Sequence, residues 1–352
     1  MKVLFEKNKK DKEEWLYLWK NYLNKEIYAH PEYLMLEITE GSNACCAVYK
    51  NNNEIVMYPF ILRDITYLDY FKDYPFKIYD TITPYGYGGF YYNGNKEKRT
   101  IILKMFWEEY SKWAKENNVI CEFIRFNLNI DYLNCYPGQI LHNNNNVIVD
   151  LTKNIELIYK EFKHKVRKNI NRAISYNLKI LIDTNGDNID NFIKIYYKTM
   201  NRRNASTYYF FSKEYFLRLN ENLKGNFLYM YVLLDEFVLS AELILLSEIN
   251  IYSFLGGSNE EFYHLRPNDF LKLKIIEWGI ENKKSAFVLG GGYLPNDGIF
   301  EYKKSFSPNT IKPFYVGKQI YNKIVYQDLI NITKEKNPLL NPNNQFFPLY
   351  RS

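Results

Sequence analysis

The densest run of chemistry-capable side chains is Lys160-Glu161-Phe162-Lys163-His164-Lys165-Val166-Arg167-Lys168-Asn169-Ile170-Asn171-Arg172, six basic residues against one acid. The whole chain has a net charge of +6, so this segment holds most of it. Ile158, Phe162, Val166, Ile170 and Ile174 recur at i+4, so a helix here buries one stripe and points its cations elsewhere. Arg as a planar fork and Lys as a point charge could grip phosphates or a carboxylate, with a solvated basic face as the plainer reading. Glu242 lies within the apolar run Ala241–Leu246, where a carboxylate is either partnered by a base or kept with a raised pKa for proton transfer. Lys303 stands in Tyr302-Lys303-Lys304-Ser305-Phe306, and a lysine held between aromatics could stabilise an oxyanion in acyl transfer. Tandem surface lysines are the alternative.

Two glycine loops complete the set. Thr83-Pro84-Tyr85-Gly86-Tyr87-Gly88-Gly89-Phe90 places Tyr85 and Tyr87 between glycines, where rings could stack on sugar or peptide, or simply make a tight turn. Leu255-Gly256-Gly257-Ser258, then Arg266-Pro267-Asn268-Asp269, delivers a strand into a helix N-terminus. Free amides and the dipole there favour an anion such as a pyrophosphate, although Asp269 could satisfy the same field. Arg266 and Asn268 are the donor-side candidates at this turn. Neither loop has a dinucleotide or P-loop pattern. His30, His142, His164 and His264 stand apart from one another and from the cysteines, so no metal site is expected. No GxSxG elbow marks a covalent nucleophile. By elimination, any chemistry is direct transfer through positioning and electrostatics.

These groups need elements to hold them. The 352 residues suit about two domains. A hydrophobic share of 47% and a charged share of 24% exclude a disordered or fibrous chain. Aromatics reach 18%, read either as core drift from a biased coding sequence or as a Tyr-lined groove. Cys45, Cys46, Cys121 and Cys135 form no CxxC pair, and the start has no signal-peptide core. A cytoplasmic location fits best, with an anionic membrane surface as a place of work. Patterning predicts a helix over 13–24, a hairpin of strands 44–50 and 54–62, a strand over 78–82, a helix over 96–118 and a strand over 119–126. The polar run His142–Asn146 is the linker candidate. Beyond it the pattern predicts helices over 154–176, 188–200 and 212–223, and strands over 227–234, 237–247 and 250–255. A helix from Pro267 to about Asn282 and a strand over 286–289 follow. Hairpin, strand, glycine loop, helix, strand thus occurs twice, as in a duplicated α/β unit with a cleft between the copies.

The order of pieces resembles the FemABX peptidyltransferases and their relatives with a GNAT-type acyltransferase fold. The resemblance rests on TPYGYGGF, FKHKVRKNINRAISYNLKI, the stretch from Ala241 to Gly292 and GIFEYKKSFSP, and runs over about residues 25–320. It implies an α/β (α+β) fold of two tandem GNAT-like (acyl-CoA N-acyltransferase-like) domains, at 1–150 and 151–336, with a cleft between them and a Pro/Asn-rich tail at 337–352. It implies acyl transfer to an amine of a nucleotide- or lipid-linked cell-envelope precursor. By the same resemblance Lys303 stabilises the tetrahedral intermediate, Arg167 on the basic helix holds precursor phosphate with Lys163 beside it, and Tyr85, Tyr87 and Tyr302 face substrate. Glu242 is the second catalytic candidate. Tyr302 replaces the usual Phe, and no long helical hairpin is inserted. The acetyl-CoA turn of ordinary GNAT enzymes is also missing at His264–Asn268. No cofactor is tightly bound; the donor is aminoacyl-tRNA or acyl-CoA. Charged tRNA and peripheral membrane association are the implied partners. Two readings stay open beside this one: an acyl-CoA-dependent N- or O-acetyltransferase acting on a surface-polysaccharide sugar, and a non-catalytic binder of a precursor or nucleic acid.

Overall fold

Short polar side chains start the helices. Asn8, Asn154, Ser212, Asp297 and Asn322 each accept a hydrogen bond from a first-turn amide, satisfying a donor the helix leaves unpaired. The computed structural model describes residues 1–294, 297–341 and 346–352. Its elements begin β1 (Lys2–Phe5), α1 (Lys9–Lys20), α2 (Pro31–Leu36), β2 (Ser42–Asn51), β3 (Glu54–Asp64), β4 (Tyr79–Ile82), β5 (Tyr91–Asn93), α3 (Arg99–Glu116) and β6 (Val119–Arg125). They continue with β7 (Gln139–Asp150), α4 (Ile155–Glu161), α5 (His164–Ile174), β8 (Lys179–Asp183), α6 (Ile189–Arg202), α7 (Lys213–Asn222), β9 (Phe227–Leu234), β10 (Phe237–Leu246) and β11 (Asn250–Ser258). Last come α8 (Pro267–Glu281), β12 (Ala286–Gly290), α9 (Gly298–Lys304), β13 (Ile311–Ile320) and α10 (Lys323–Lys336). No helix among the described residues is long and apolar enough to cross a membrane.

The chain divides into two compact units of mixed α/β structure. The first holds residues 1–23, 28–143 and 314–352, the second residues 24–27 and 144–313. In the first, β1, β2, β3 and β4 are antiparallel neighbours, β4 pairs with β6 in parallel, and β13 lies antiparallel to β6. In the second, β8, β9, β10 and β11 are antiparallel neighbours, β11 pairs with β12 in parallel, and β7 lies antiparallel to β12. A helix links each parallel pair, α3 in one and α8 in the other, because parallel strands need a crossover. The two units therefore share one plan, with one exchange. The strand after β6 in sequence completes the second unit, and the strand after β12 completes the first.

Two helical and loop expectations change. The run His142–Asn146 is part of strand β7 rather than a linker. Ladder hydrogen bonds satisfy its backbone whatever its side chains are. The basic segment is two helices, not one. Phe162 and Lys163 turn extended, with ψ near 141 and 146, and the Lys163 amide donates to Ser305 O at 2.8 Å. The buried stripe carries across the break through Ile158, Phe162, Val166 and Ile170, but Ile174, at the end of α5, is 55% exposed. In the tail, residues 342–345 lie outside the described residues. Its end packs into the first unit, where Tyr350 OH and Arg351 Nε donate to Asp80 Oδ2 at 2.8 and 2.6 Å.

The aromatic excess is largely core. Tyr58, Phe60, Phe106, Trp107, Tyr110, Phe126 and Tyr136 build the first unit's interior, mostly in edge-on or tilted pairs such as Tyr58–Tyr110 at 5.2 Å and Trp107–Tyr136 at 5.2 Å. Phenol hydroxyls need partners inside a core, and Glu122 on β6 supplies them. Its carboxylate accepts from Tyr58, Tyr136 and Tyr321 at 2.9, 3.0 and 3.0 Å. Burial pushes the Glu122 carboxyl up from 4.5 to about 7, against the lowering effect of those hydroxyls. The unfolded chain loses this proton near 4.5 and the folded one near 7, so the folded state holds more protons in between. Stability contributed by the protonated form is therefore lost as pH rises through that window. Glu122→Gln removes the titration. Relative to the parent, the variant should gain stability from pH 4.5 to pH 7, by up to about 3 kcal/mol. Thermal melts across that range check this, and a constant difference between the two proteins would rule out a titrating Glu122.

Candidate active site in the second unit

β11 and β12 form a short parallel ladder, Asn250–Tyr252 against Ala286–Val288. Past Tyr252, β11 runs on to Ser258 against β10 alone, while β12 turns into Gly290-Gly291-Gly292. The strands thus part company at Ser253. A cluster of charged side chains sits where they do. Glu242 on β10 faces Gly256 across the ladder and is 4% exposed. Lys272, from the second turn of α8, places its Nζ 2.6 Å from each Glu242 carboxylate oxygen and 2.9 Å from Ser253 Oγ. Three acceptors match the three N–H donors of an ammonium. The same cation lies 5.3 Å from the Phe287 ring centre. Gly257 lets α6 approach β11 closely, since a Cβ there would stand 2.6 Å from Ile195 O.

Lys303 joins this cluster from α9. Asp297 fixes the start of that helix by accepting from the Tyr293, Leu294 and Phe300 amides at 2.7, 3.0 and 2.8 Å. Near the helix's end the half-buried Lys303 donates from Nζ to Gly291 O at 2.7 Å. Burial pushes its amine down to about 8; the Lys272 charge adds to that, and Glu242 and Asp297 oppose it. Tyr302 stacks edge-on against Phe306 at 5.4 Å. Its hydroxyl is buried without a hydrogen-bond partner among the described residues. Burial, then the charges of Asp269 and Glu242, hold that phenol well above its ordinary range.

At the α8 N-terminus, Arg266 adopts a left-handed conformation with φ 61°, and its Nε is buried without a partner among the described residues. Asn268 is committed to the frame: its Oδ1 accepts from Ser240 Oγ at 2.5 Å and its Nδ2 donates to Ser258 Oγ at 3.0 Å. Asp269 receives the Asn169 amide at 3.3 Å. Burial raises its carboxyl to about 6, against the pull of Asn169, Arg266 and Lys165.

The structure therefore brings Lys303, Glu242, Tyr302 and Arg266 into the second unit's site and gives Asn268 a bracing role there. Lys163 reaches Glu301 on α9 at 3.5 Å. Arg167 donates from Nη1 to the Lys160 and Phe162 carbonyls at 2.8 and 2.5 Å, capping α4, and lines a shallow depression with Tyr159, His164, Lys168 and Asn171. Tyr85 and Tyr87 belong to the first unit. The Tyr85 carbonyl accepts from Tyr33 OH at 2.8 Å. Tyr87 packs edge-on against Tyr28 and Phe314 at 5.3 and 5.4 Å. Gly86, at φ 92°, lets the loop pass the Tyr28 ring, where a Cβ would come within 2.5 Å. Lys272 escaped the sequence reading. Its signal was a lone cation within Phe270-Leu271-Lys272-Leu273, facing an apolar strand that already contained an unpaired acid.

Residues 160–304 match the family model described as an acetyltransferase (GNAT) domain. The structure is similar to FemX, at 13% identity over 93% of this chain and 99% of that one, with a TM-score of 0.71. It is also similar to the C-terminal domain of a putative lysylphosphatidylglycerol synthetase from Agrobacterium fabrum, at 11% identity over 93% and 97% of the two chains and a TM-score of 0.54. A tandem GNAT protein from the clavulanic acid biosynthesis pathway matches at 7% identity over 91% and 98%, with a TM-score of 0.50. No curated protein matches the sequence. The fold is thus a tandem GNAT fold similar to that of FemX, and the GNAT family match falls in its second half.

The buried pair makes a stability test. Lys272→Met strands the Glu242 carboxylate in the core and should cost about 3–5 kcal/mol, whereas Lys272→Met with Glu242→Leu should recover most of that. Urea unfolding of the three proteins reads it. A single variant within about 1 kcal/mol of the parent would mean the pair is not desolvated as described.

Proposed function

We propose that this chain, an acyltransferase built on the FemX-type tandem GNAT fold, transfers an acyl group directly onto an amine of a cell-envelope precursor. The observation that carries the reading is the placement of Lys303: its ammonium is held by Gly291 O beside the Glu242–Lys272 pair, where two parallel strands part. An ammonium has three donors, and Gly291 takes one. The others are available to a carbonyl oxygen gaining charge as an amine attacks. Glu242 opposes the loss of the Lys303 proton that burial and the Lys272 charge favour. The FemX and lysylphosphatidylglycerol synthetase likenesses support an envelope acceptor. In this proposal Arg167 and Lys163 meet the acceptor's phosphates, Tyr302 contacts its apolar part, and the protein works in the cytoplasm.

The donor has two readings. Aminoacyl-tRNA fits the FemX likeness. Acyl-CoA is favoured by the buried, unpartnered Nε of Arg266 at the α8 N-terminus, where the helix field and a guanidinium suit a pyrophosphate. Isothermal titration of coenzyme A against charged tRNA separates them. Asn268 supports the turn in either case.

Lys303→Ala should lower turnover on a competent donor by about 100–1,000-fold. Because the role needs the protonated Lys303 amine, the ratio of parental to Lys303→Ala activity, which cancels the acceptor amine's own deprotonation, should hold steady below pH 8 and fall as pH rises through about 8. Steady-state rates across pH, with product identified by the mass added to envelope precursors, provide the check. Full turnover in the alanine variant, or a parent-to-variant ratio that does not fall through pH 8, would remove Lys303 from the oxyanion role.

A further inference from the structure

We propose that the outward face of α5 is a docking surface for a bilayer bearing anionic phospholipid head groups. Helix α5 contains no acidic residue. Its inward face is Val166, Ile170 and Ala173, all buried. On the opposite side Lys165, Lys168 and Arg172 follow at i, i+3 and i+7, which aligns them in one row, and all three are exposed. Among the described residues none of the three has a carboxylate within 4.0 Å. The nearby cations Lys153 and Lys163 do, in Glu161 and Glu301. Lys165 acts at longer range on the buried Asp269, but the row makes no surface ion pair and stands on an element packed to the core.

The chemistry around the row favours lipid over nucleic acid. Ile174 closes the helix 55% exposed. Beside it the Arg172 guanidinium lies 6.0 Å from the Tyr176 ring centre and donates from Nε to the Tyr176 hydroxyl at 3.2 Å. Cations, an exposed aliphatic and a ring with a polar tip on one short helix are the mixture that settles at a head-group boundary. A single-stranded nucleic acid would instead want a series of open aromatic faces for its bases. Lysines outnumber arginine in the row, which suits diffuse attraction to a charged plane more than forked recognition of one phosphate.

Docking needs neither donor nor acceptor, so its failure would leave the acyl-transfer reading standing. The test is co-sedimentation of the intact protein with vesicles of equal parts phosphatidylglycerol and phosphatidylcholine, alongside pure phosphatidylcholine vesicles and unfractionated tRNA. The parent should bind the anionic vesicles alone among the lipids and release as salt rises past about 0.5 M. The Lys165→Gln/Lys168→Gln/Arg172→Gln variant, with an unchanged melting temperature, should partition about 100-fold less. Equal binding to neutral vesicles, parental binding by the triple variant, or binding to tRNA but not to anionic vesicles would each overturn the proposal.

Discussion

The second unit's site depends on one buried interaction, the Glu242–Lys272 ion pair. Removing two charges from water is expensive, and mutual attraction repays this only when geometry is good and every remaining donor is used. Here both carboxylate oxygens and Ser253 Oγ take the three ammonium protons. Those partners come from two strands, β10 and β11, while the lysine comes from α8, so the pair also fixes how the crossover helix seats over the strands where they separate. Lys303 then enters a field already set. A second lysine beside Lys272 alone would be driven toward neutrality; with Glu242 present it stays at about 8 and remains largely protonated at neutral pH.

The first unit solves a different problem with a similar device. Its core is aromatic rather than aliphatic, and tyrosine brings a hydroxyl wherever it brings a ring. Gathering three hydroxyls onto Glu122 satisfies them at once, at the cost of a buried carboxyl. Asp80 plays the related part as a carboxylate: burial pushes its pKa up, and Arg63 and Arg351 outweigh that and hold it below its ordinary value. One buried acid is thus neutralised by protonation and the other by guanidinium. What separates them is the partner, because hydroxyls only solvate a charge while guanidinium groups cancel it.

Local pattern made much of this legible. The hairpin of strands over 44–50 and 54–62, the strands over 227–234, 237–247 and 250–255 and Pro267 as a helix start are all short-range features, and the structure contains them, although β11 runs on through Gly256 and Gly257 to Ser258 in place of the expected glycine loop. The doubled order of elements was visible for the same reason. The exchange of closing strands was not: β7 and β13 are placed by pairing with β12 and β6 far away in sequence, and the polar run within β7 has no strand signature of its own. The break between α4 and α5 was hidden because the i+4 stripe continues through Phe162. It depends on tertiary contacts, Ser305 O to the Lys163 amide and the Arg167 cap on two carbonyls. Glu242 was recognisable as needing a base, but which lysine supplied it was a question of three-dimensional packing.

That helix break also sorts the basic segment into two kinds of cation. Arg167 reaches back to the α4 carbonyls and the exposed Lys163 reaches Glu301, so each already has an electrostatic partner within its own unit. Any phosphate they meet competes with, or adds to, that partner. Lys165, Lys168 and Arg172 face outward from an element whose other side is packed, and among the described residues none of them makes an ion pair, Lys165 acting only at longer range on Asp269. Had the segment been one continuous helix, its cations would have spread around a longer cylinder with Glu156 and Glu161 on the same axis. Breaking it at Phe162 leaves the acids on α4 and concentrates unopposed positive charge on α5.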